Sequence, residues 1–333
     1  MWEEEPRGYR GRLTDLLLPG VDRIRRMESA GGLPLQRLVG LRLLDVEAGR
    51  LRFRLESSPW LRWSRDGAVP APVVGLALDA ALGLSVVSTL EPGDASSSAL
   101  LSVSHARPPA PGTPSIEVAA SVVGRSGDWV LAEALVTDRE GRLAVAASHC
   151  LRAGAGRPPA AHPPTGEAPP PPEDHAAPDP HRRALPPPDA ATPPRNPVAG
   201  PLRHEAAGAP LAHLFGIVLA DLGEDAAVLR MPASRWIARD GRTVLGGALT
   251  LLGDLAMAIA ARTGPADGHA VTTLDSRTSF VRTAAPDGRD LVATASVVRR
   301  GRRSILASVE TRDAADRVLT LASATFAVAP PGA

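Results

Sequence analysis

Two stretches of the chain are almost entirely apolar, and each contains a single charged residue. They span residues 71–90 and 244–261, and their charged residues are Asp79 and Asp254. A helix that is apolar around its whole circumference must be buried on every side. An ionised carboxylate in such a helix is unfavourable unless a partner or a chemical role compensates for its burial. The pattern therefore predicts two buried central helices, each built around one acidic side chain.

Shorter segments with alternating apolar and polar positions surround both stretches. Before the first stretch, strands are predicted at 41–46 and 50–56, where Leu51, Phe53 and Leu55 share one face. A short helical segment precedes these strands at 33–39, and another lies at 210–215 in the second half. Turn residues after the second stretch separate four further strands, predicted at 271–281, 289–299, 304–312 and 318–328. This order predicts an antiparallel sheet wrapped around each long helix, which is an α+β fold.

The two halves of the chain repeat each other. Asp254 lies 175 positions after Asp79, and the same offset relates Arg107 to Arg282, Arg142 to Arg317 and Ser148 to Ser323. A period as long as a domain indicates gene duplication, because solenoid repeats are only about 20–50 residues long. The sequence therefore predicts two similar domains, at 13–152 and 209–330.

Two segments outside these domains have a different composition. Residues 153–208 are rich in Pro and Ala and show no hydrophobic periodicity. Such a segment is unable to form a core, so a disordered linker is predicted there. Residues 1–12 are predicted to be a loose N-terminus.

Composition limits the classes of partner. The 333 residues include 37 basic and 36 acidic side chains, a balance that does not favour nucleic acid or an anionic membrane. The single cysteine, Cys150, excludes an internal disulfide framework. The N-terminal residues lack the pattern of a signal peptide, and no spacing typical of metal ligands is present. We therefore expect a cytoplasmic protein with no metal, membrane or nucleic-acid partner.

The second repeat contains an ordered set of short motifs. Leu245-Gly246-Gly247 is followed after six residues by Asp254, then by Ser279-Phe280-Val281-Arg282 and a turn at Gly301 between arginines. The first repeat has Pro70-Ala71-Pro72, six residues and then Asp79. This series resembles the PaaI-like acyl-CoA thioesterases of the hot-dog fold, in tandem form. The resemblance implies two hot-dog domains that hydrolyse acyl-CoA, with CoA as part of the substrate and no separate cofactor.

The chain departs from the family pattern at supporting positions. The family histidine is replaced by Leu245 in one repeat and Pro70 in the other, and a frequent asparagine by Arg239 and Ser64. The acidic residue is therefore kept twice, whereas the polar residues around it are not.

The resemblance also implies which repeat supplies which group. Eight residues separate Gly246 from Asp254, a rise of roughly 12 Å along a helix, so one carbonyl group cannot contact both. In the hot-dog family, paired units place the backbone donor of one against the acid of the other. Here the Gly246 N–H would face Asp79, and the Ala71 N–H would face Asp254. Pro72 has no N–H, so the site with Gly246 and Asp79 is predicted to be the better built. An intramolecular pseudo-dimer is expected, and it could pair again as a homodimer.

Further substrate-binding residues are predicted beside the three catalytic candidates, Asp79, Asp254 and Gly246. Gly247 adjoins the proposed donor, although both glycines could equally serve close packing. Ser98 and Thr273 align with a polar position that assists the acid in some relatives, and the alternative for both is an ordinary strand hydroxyl. Arg300 and Arg302 could hold the CoA phosphates or could simply be solvated turn residues.

Three functions are compatible with this pattern. The first is an acyl-CoA thioesterase with sites between the two repeats. The second is a catalytically degenerate hot-dog protein that binds an acyl-CoA or similar thioester for regulation, which the lost histidine and asparagine favour. The third is a hot-dog dehydratase or hydratase, which ranks last because neither central helix contains a histidine.

Overall fold

The computed structural model describes residues 13–64, 67–154, 199–239, 241–264 and 269–330. The helices of these residues are α1 (Gly20–Ser29), α2 (Pro34–Val39), α3 (Ala71–Val87), α4 (Ala199–Gly208), α5 (Pro210–Phe215) and α6 (Gly246–Arg262). The strands of the first repeat are β1 (Leu41–Glu47), β2 (Arg50–Glu56), β3 (Ala95–His105), β4 (Ser115–Ser126), β5 (Trp129–Asp138) and β6 (Gly141–Ala153). Those of the second are β7 (Val218–Gly223), β8 (Ala226–Pro232), β9 (Ala270–Phe280), β10 (Asp290–Arg300), β11 (Ser304–Arg312) and β12 (Val318–Ala329).

The two apolar stretches form the two central helices, α3 and α6. Most of their Leu, Val, Ile and Ala side chains are buried, on every side of each helix. Helix α3 packs against strands of the first half of the sheet and α6 against strands of the second half. Burial of these apolar surfaces on folding is the main stabilising contribution to both cores.

All twelve strands belong to one antiparallel sheet. Their order is β1-β2-β4-β5-β6-β3-β9-β12-β11-β10-β8-β7, so the second half repeats the first in reverse. The halves join where β3 pairs with β9, with Ser102 opposite Arg277 at the centre of that ladder. These two residues are themselves separated by the repeat offset, so a local two-fold axis passes between them. The predicted α+β fold, with antiparallel strands around one long helix in each repeat, is confirmed.

Helices α3 and α6 pack against each other in antiparallel directions. Gly247 at the start of α6 lies against Leu76, and Gly75 lies against Asp254 farther along α6. Each acidic side chain is consequently placed against the central helix of the other repeat.

The predicted linker is wrong at its C-terminal end, because residues 199–208 form helix α4. Leu202 of this helix packs against the core, and Glu205 forms a bidentate ion pair with Arg262 at the end of α6, at 2.6 and 2.9 Å. These contacts are tertiary and leave no local periodicity in the sequence. Helix α1 also has no counterpart among the predicted elements. The rest of the predicted linker, from 155 onward, and the predicted loose N-terminus lie outside the described residues.

We expect the two repeats to remain associated after the chain is cut between them. The β3–β9 ladder and the α3–α6 contact both join the repeats and do not involve residues 155–198. A protease site inserted within 155–198 should therefore give two fragments that elute together in gel filtration. Fragments that separate into stable monomers would show that these contacts are too weak to hold the repeats together.

Candidate functional site

The Asp79 side chain lies where α3 meets the first turn of α6. Its carboxylate accepts a hydrogen bond from the Gly247 backbone N–H. The Ser98 hydroxyl donates to Asp79 Oδ1 from strand β3 at 3.4 Å. A Cβ atom at Gly246 would be 3.0 Å from Asp79 Oδ2. The structure thus brings four of the predicted site residues together, with contributions from both repeats.

The ionisation of Asp79 reflects opposing influences. Burial raises the pKa of this carboxyl group to about 6, because the charged form loses its water. The Gly247 N–H, the Ser98 hydroxyl and the positive charge of Arg239 favour the charged form and limit that increase. Arg239 stands at the position of the family asparagine, and its effect on the acid was not foreseen from the sequence. At neutral pH Asp79 is mostly ionised and is poised to accept a proton.

The first N–H group of α6 is available beside this carboxylate. Within the described part of the chain, the Gly246 N–H has no hydrogen-bond partner, whereas the next N–H, from Gly247, is bonded to Asp79. The Phe280 ring borders the same position, 3.0 Å from where a Cβ at residue 246 would be. A helix N-terminus of this kind presents backbone donors to an oxygen atom that carries negative charge.

A second layer of polar groups lies behind Ser98. The Cys150 thiol is 3.9 Å from the Ser98 hydroxyl and 3.6 Å from the Ser148 hydroxyl. Burial raises the pKa of Cys150, so its thiol is protonated at neutral pH and can donate weakly to Ser98. Ser98 is thereby oriented to donate its own proton toward Asp79.

Asp254 has a different environment from Asp79. Its Oδ2 atom accepts a hydrogen bond from the Ser276 hydroxyl at 3.2 Å, and its Oδ1 atom has no partner among the described residues. The residue of the first repeat that corresponds to Gly247 is Pro72, which has no N–H to donate. The first repeat therefore cannot give Asp254 the backbone hydrogen bond that the second gives Asp79.

The pKa of Asp254 differs accordingly. Burial raises it to about 7, and the Ser276 hydrogen bond opposes the increase only in part. Among the residues that the structure describes, no positive charge assists this acid as Arg239 assists Asp79. Asp254 is therefore protonated in a large fraction of molecules near neutral pH.

No described contact joins Thr273 to Asp254, which agrees with the alternative of an ordinary strand hydroxyl, and its substrate-binding role stays a prediction. Thr273 is half-buried on β9, and the hydroxyl that contacts Asp254 belongs to Ser276, three residues later. The pairing of β9 with β12 shifts at Leu274, and that of β3 with β6 shifts at the equivalent residue, Ala99, so this bulge is common to both repeats and does not distinguish them. The equivalent prediction for Ser98 does place a hydroxyl against Asp79. Only the buried position of Ser276 in the strand pattern could have indicated its role.

Arg300, predicted to hold the CoA phosphates, is engaged within the protein, and that role stays a prediction. Its guanidinium group pairs with Asp225 and donates to the Ala261 carbonyl oxygen at 3.0 Å, at the C-terminal end of α6. Arg300 therefore caps this helix and links it to the turn between β7 and β8, which leaves it little capacity for a ligand. Arg302 is exposed on the turn after β10, and no described contact places it at either acid.

The close approach of the two central helices gives a stability prediction. A methyl group at Gly247 would lie 2.9 Å from the Leu76 carbonyl oxygen, so Gly247→Ala must push the helices apart. We expect a loss of about 1–3 kcal/mol in the free energy of unfolding. Gly83→Ala is the matched control, because a methyl group there meets nothing within 4 Å and should stabilise α3. Equal effects of the two substitutions in thermal melting would contradict this packing argument.

A surface concavity of the first repeat lies away from both acids. It measures about 840 Å³ and is lined by outward-facing side chains of the first half of the sheet, including Arg52, Glu133 and Arg142. Neither Asp79 nor Asp254 lines it. Over the ranges that the structure describes, no helix is long and apolar enough to cross a membrane, and no three His, Cys, Asp or Glu side chains are grouped to hold a metal ion.

Comparison with known proteins identifies the sequence pattern of the second repeat and the fold of the chain. Residues 241–320 match the thioesterase superfamily. No curated protein sequence gives a significant match. Acyl-CoA thioesterase II TesB2 from Mycobacterium marinum is similar over 90% of this chain and 99% of its own, with 14% identity and a TM-score of 0.52. The tesB protein of Mycobacterium avium subspecies paratuberculosis covers 89% and 98%, with 13% identity and a TM-score of 0.55.

A third structure names the fold directly. A conserved protein of unknown function with a hot dog fold, from Alicyclobacillus acidocaldarius, covers 89% of this chain and 98% of its own, with 12% identity and a TM-score of 0.54. At these identities the similarity establishes the fold, which is a hot-dog fold in tandem. The predicted resemblance to the hot-dog thioesterase superfamily is thereby confirmed. The PaaI-like subtype and the acyl-CoA substrate stay predictions.

Proposed function

We propose that this chain, similar in fold and in its second repeat to hot-dog thioesterases, hydrolyses acyl-CoA thioesters at the Asp79 site. The observation that carries the proposal is the pairing of a buried carboxylate from one repeat with the N-terminus of α6 from the other. Thioester hydrolysis needs a base to activate water and a donor for the oxygen that becomes negative. Asp79 and the Gly246 N–H supply these two groups.

The reaction follows from the position of the two groups. Asp79 removes a proton from water, and the water oxygen attacks the thioester carbonyl carbon. The Gly246 N–H donates to the carbonyl oxygen as it becomes an oxyanion, a role that matters most in the transition state. When the intermediate collapses, the C–S bond breaks, the CoA sulfur takes the proton from Asp79, and a carboxylic acid and free CoA are released.

The neighbouring groups prepare Asp79 for this role. The Gly247 N–H and the Ser98 hydroxyl hold the carboxylate in place and leave the Gly246 N–H open to substrate. The burial that raises the pKa of Asp79 also makes it a stronger base than an exposed carboxylate. At the Asp254 site, Pro72 stands where Gly247 stands at the Asp79 site, so no backbone N–H holds the Asp254 carboxylate in the same way. We therefore assign hydrolysis to the Asp79 site alone.

A second candidate function is thioester binding without hydrolysis. It is favoured by Leu245, which occupies the position of the family histidine and packs against the hydrophobic core. An apolar side chain there offers no hydrogen bond to orient the thioester. In this alternative the Asp79 site would recognise an acyl-CoA and regulate a partner instead of consuming its ligand.

One screen separates the two functions. The purified full-length protein is incubated with straight-chain, branched and aromatic acyl-CoAs, and free thiol is detected as CoA is released. Turnover of any substrate that is absent for the Asp79→Asn protein supports hydrolysis at this site. Saturable binding of acyl-CoA, measured by calorimetry, without thiol release would support the binding function. Neither binding nor turnover across the panel would contradict both.

A further inference from the structure

An arginine side chain stands on the solvent side of the Asp79 carboxylate. The Arg239 backbone N–H donates to the Thr243 carbonyl oxygen at 2.9 Å, which closes a short loop directly before the residues that lead into α6. Burial raises the pKa of Asp79 and the positive charge of Arg239 opposes that increase, so the guanidinium group lies within electrostatic reach of this acid. Arg239 is exposed whereas Asp79 is buried. The loop therefore places a cation at the entrance to the Asp79 site.

A second arginine reaches this entrance from the end of strand β9. Phe280, the last residue of β9, borders the position of Gly246, and Arg282 follows it by two residues. The Val244 N–H donates to the Ala284 carbonyl oxygen at 2.9 Å. The segment that carries Arg282 consequently runs beside the residues that lead into α6. Arg282 is exposed, so its guanidinium group is open to a ligand.

The first repeat shows that Arg282 has lost a partner. Its counterpart, Arg107, is bonded through two nitrogens to the Asp138 carboxylate. The counterpart of Asp138 is Asp313, which instead pairs with Arg317 at 2.6 Å. Among the described residues, Arg282 has no carboxylate partner and donates only to a backbone carbonyl oxygen, at 3.3 Å. Most of its five N–H donors therefore remain for a ligand.

We propose that Arg239 and Arg282 bind a carboxylate carried by the acyl group of the substrate. The planar guanidinium group donates two parallel hydrogen bonds to a carboxylate, a geometry that favours this anion. An acyl carboxylate lies near the thioester carbonyl, whereas the CoA phosphates lie at the far end of the pantetheine arm. This placement rests on the proposed function, which puts the carbonyl at Asp79 and Gly246. The substrate class is then the mono-thioester of CoA with a dicarboxylic acid.

The charges at the entrance favour such a ligand. Asp79 is mostly ionised at neutral pH, and a second carboxylate beside it would be repelled without compensating cations. The two arginines, Asp79 and the bound carboxylate together carry no net charge, whereas a neutral acyl group would leave one positive charge uncompensated. At the Asp254 site, Ser64 stands at the position of Arg239, and the counterpart of Arg282 is already paired. The preference is therefore specific to the Asp79 site.

The test uses thioethers, in which a methylene replaces the thioester carbonyl so that no hydrolysis can occur. S-(carboxyalkyl)-CoA ligands of increasing chain length are titrated into the full-length protein by calorimetry, each beside the carboxamide of the same shape. At one chain length or more, the carboxylate should bind about tenfold more tightly than its carboxamide, the gain expected from charge-assisted hydrogen bonds. Arg239→Gln and Arg282→Gln should each reduce that ratio toward one.

Arg277→Gln is the matched control, because Arg277 is exposed on the same strand as Phe280 but on the outer face of the sheet. It should leave the tenfold ratio unchanged. Equal affinity for carboxylates and carboxamides would overturn the proposal, and so would a ratio that survives either of the other two substitutions. Variants that weaken both ligands equally would also overturn it and would assign the arginines to the CoA phosphates. Because thioethers are not hydrolysed, a protein without thioesterase activity can still show the preference, so the two proposals fail separately.

Discussion

Asp79→Asn is expected to reduce thioester turnover by about 10²–10⁴-fold, the usual effect of losing a general base. The amide has nearly the shape of the carboxylate but cannot accept the proton of the attacking water. Asp254→Asn should have a much smaller effect, because Pro72 deprives Asp254 of the backbone hydrogen bond that Gly247 gives Asp79. The measurement is kcat and KM for the best acyl-CoA of the screen, with wild type and both variants at the same pH.

Two controls make this comparison specific. Ser98→Ala removes one hydrogen bond to Asp79 but keeps the base, so its loss of rate should be much smaller than that of Asp79→Asn. Thermal melting of each variant establishes that a lost rate does not reflect unfolding. A larger loss for Asp254→Asn than for Asp79→Asn would show that the acid and the donor have been paired incorrectly.

The fold was largely readable from the sequence because apolar patterning determines it. Helices without any polar face had to be central, and strands with alternating patterns had to cover them. The repeat offset then indicated two equivalent units, and the strands at 304–312 and 318–328 match β11 and β12 within one residue at each end. Helix α4 was missed because its stability comes from the ion pair of Glu205 with Arg262 and from the packing of Leu202, and both are contacts distant in sequence.

The site was less predictable, since hydrogen bonds depend on register and on side-chain direction. The motif indicated the two acids and Gly246, but it did not indicate which side-chain hydroxyl contacts Asp254. Ser276, not Thr273, contacts Asp254, although both repeats have the same register shift, at Ala99 and Leu274. Arg300 appeared to be a candidate phosphate ligand because arginines surround the turn at Gly301. Its salt bridge with Asp225 joins residues 75 positions apart and was not visible in the sequence. The environments of the two acids differ through Pro72, which was visible in the sequence, and through Arg239, whose effect was not foreseen.

Asp254 is expected to make the protein less stable as the pH rises. Its pKa in the folded protein is about 7, raised from about 3.8 by burial, so between these values the folded state binds more protons than the unfolded state. The free energy of unfolding must then fall as the pH increases across that range. Three pKa units correspond to a loss of about 4 kcal/mol in the free energy of unfolding. This loss is complete only above pH 7. Asp79, with a pKa of about 6, acts in the same direction over a narrower range.

Urea denaturation of wild type and Asp254→Asn at pH 5 and pH 8 isolates this contribution, because Asp79 is present in both proteins and its effect cancels. The difference in unfolding free energy, variant minus wild type, should increase from pH 5 to pH 8 by up to about 3 kcal/mol, since part of the 4 kcal/mol is already lost at pH 5. The amide stays neutral throughout, so the variant becomes relatively more stable in alkaline solution. A difference independent of pH would mean that Asp254 is ionised in the folded protein at pH 5. It would then need a strong donor for Oδ1, which no described residue supplies.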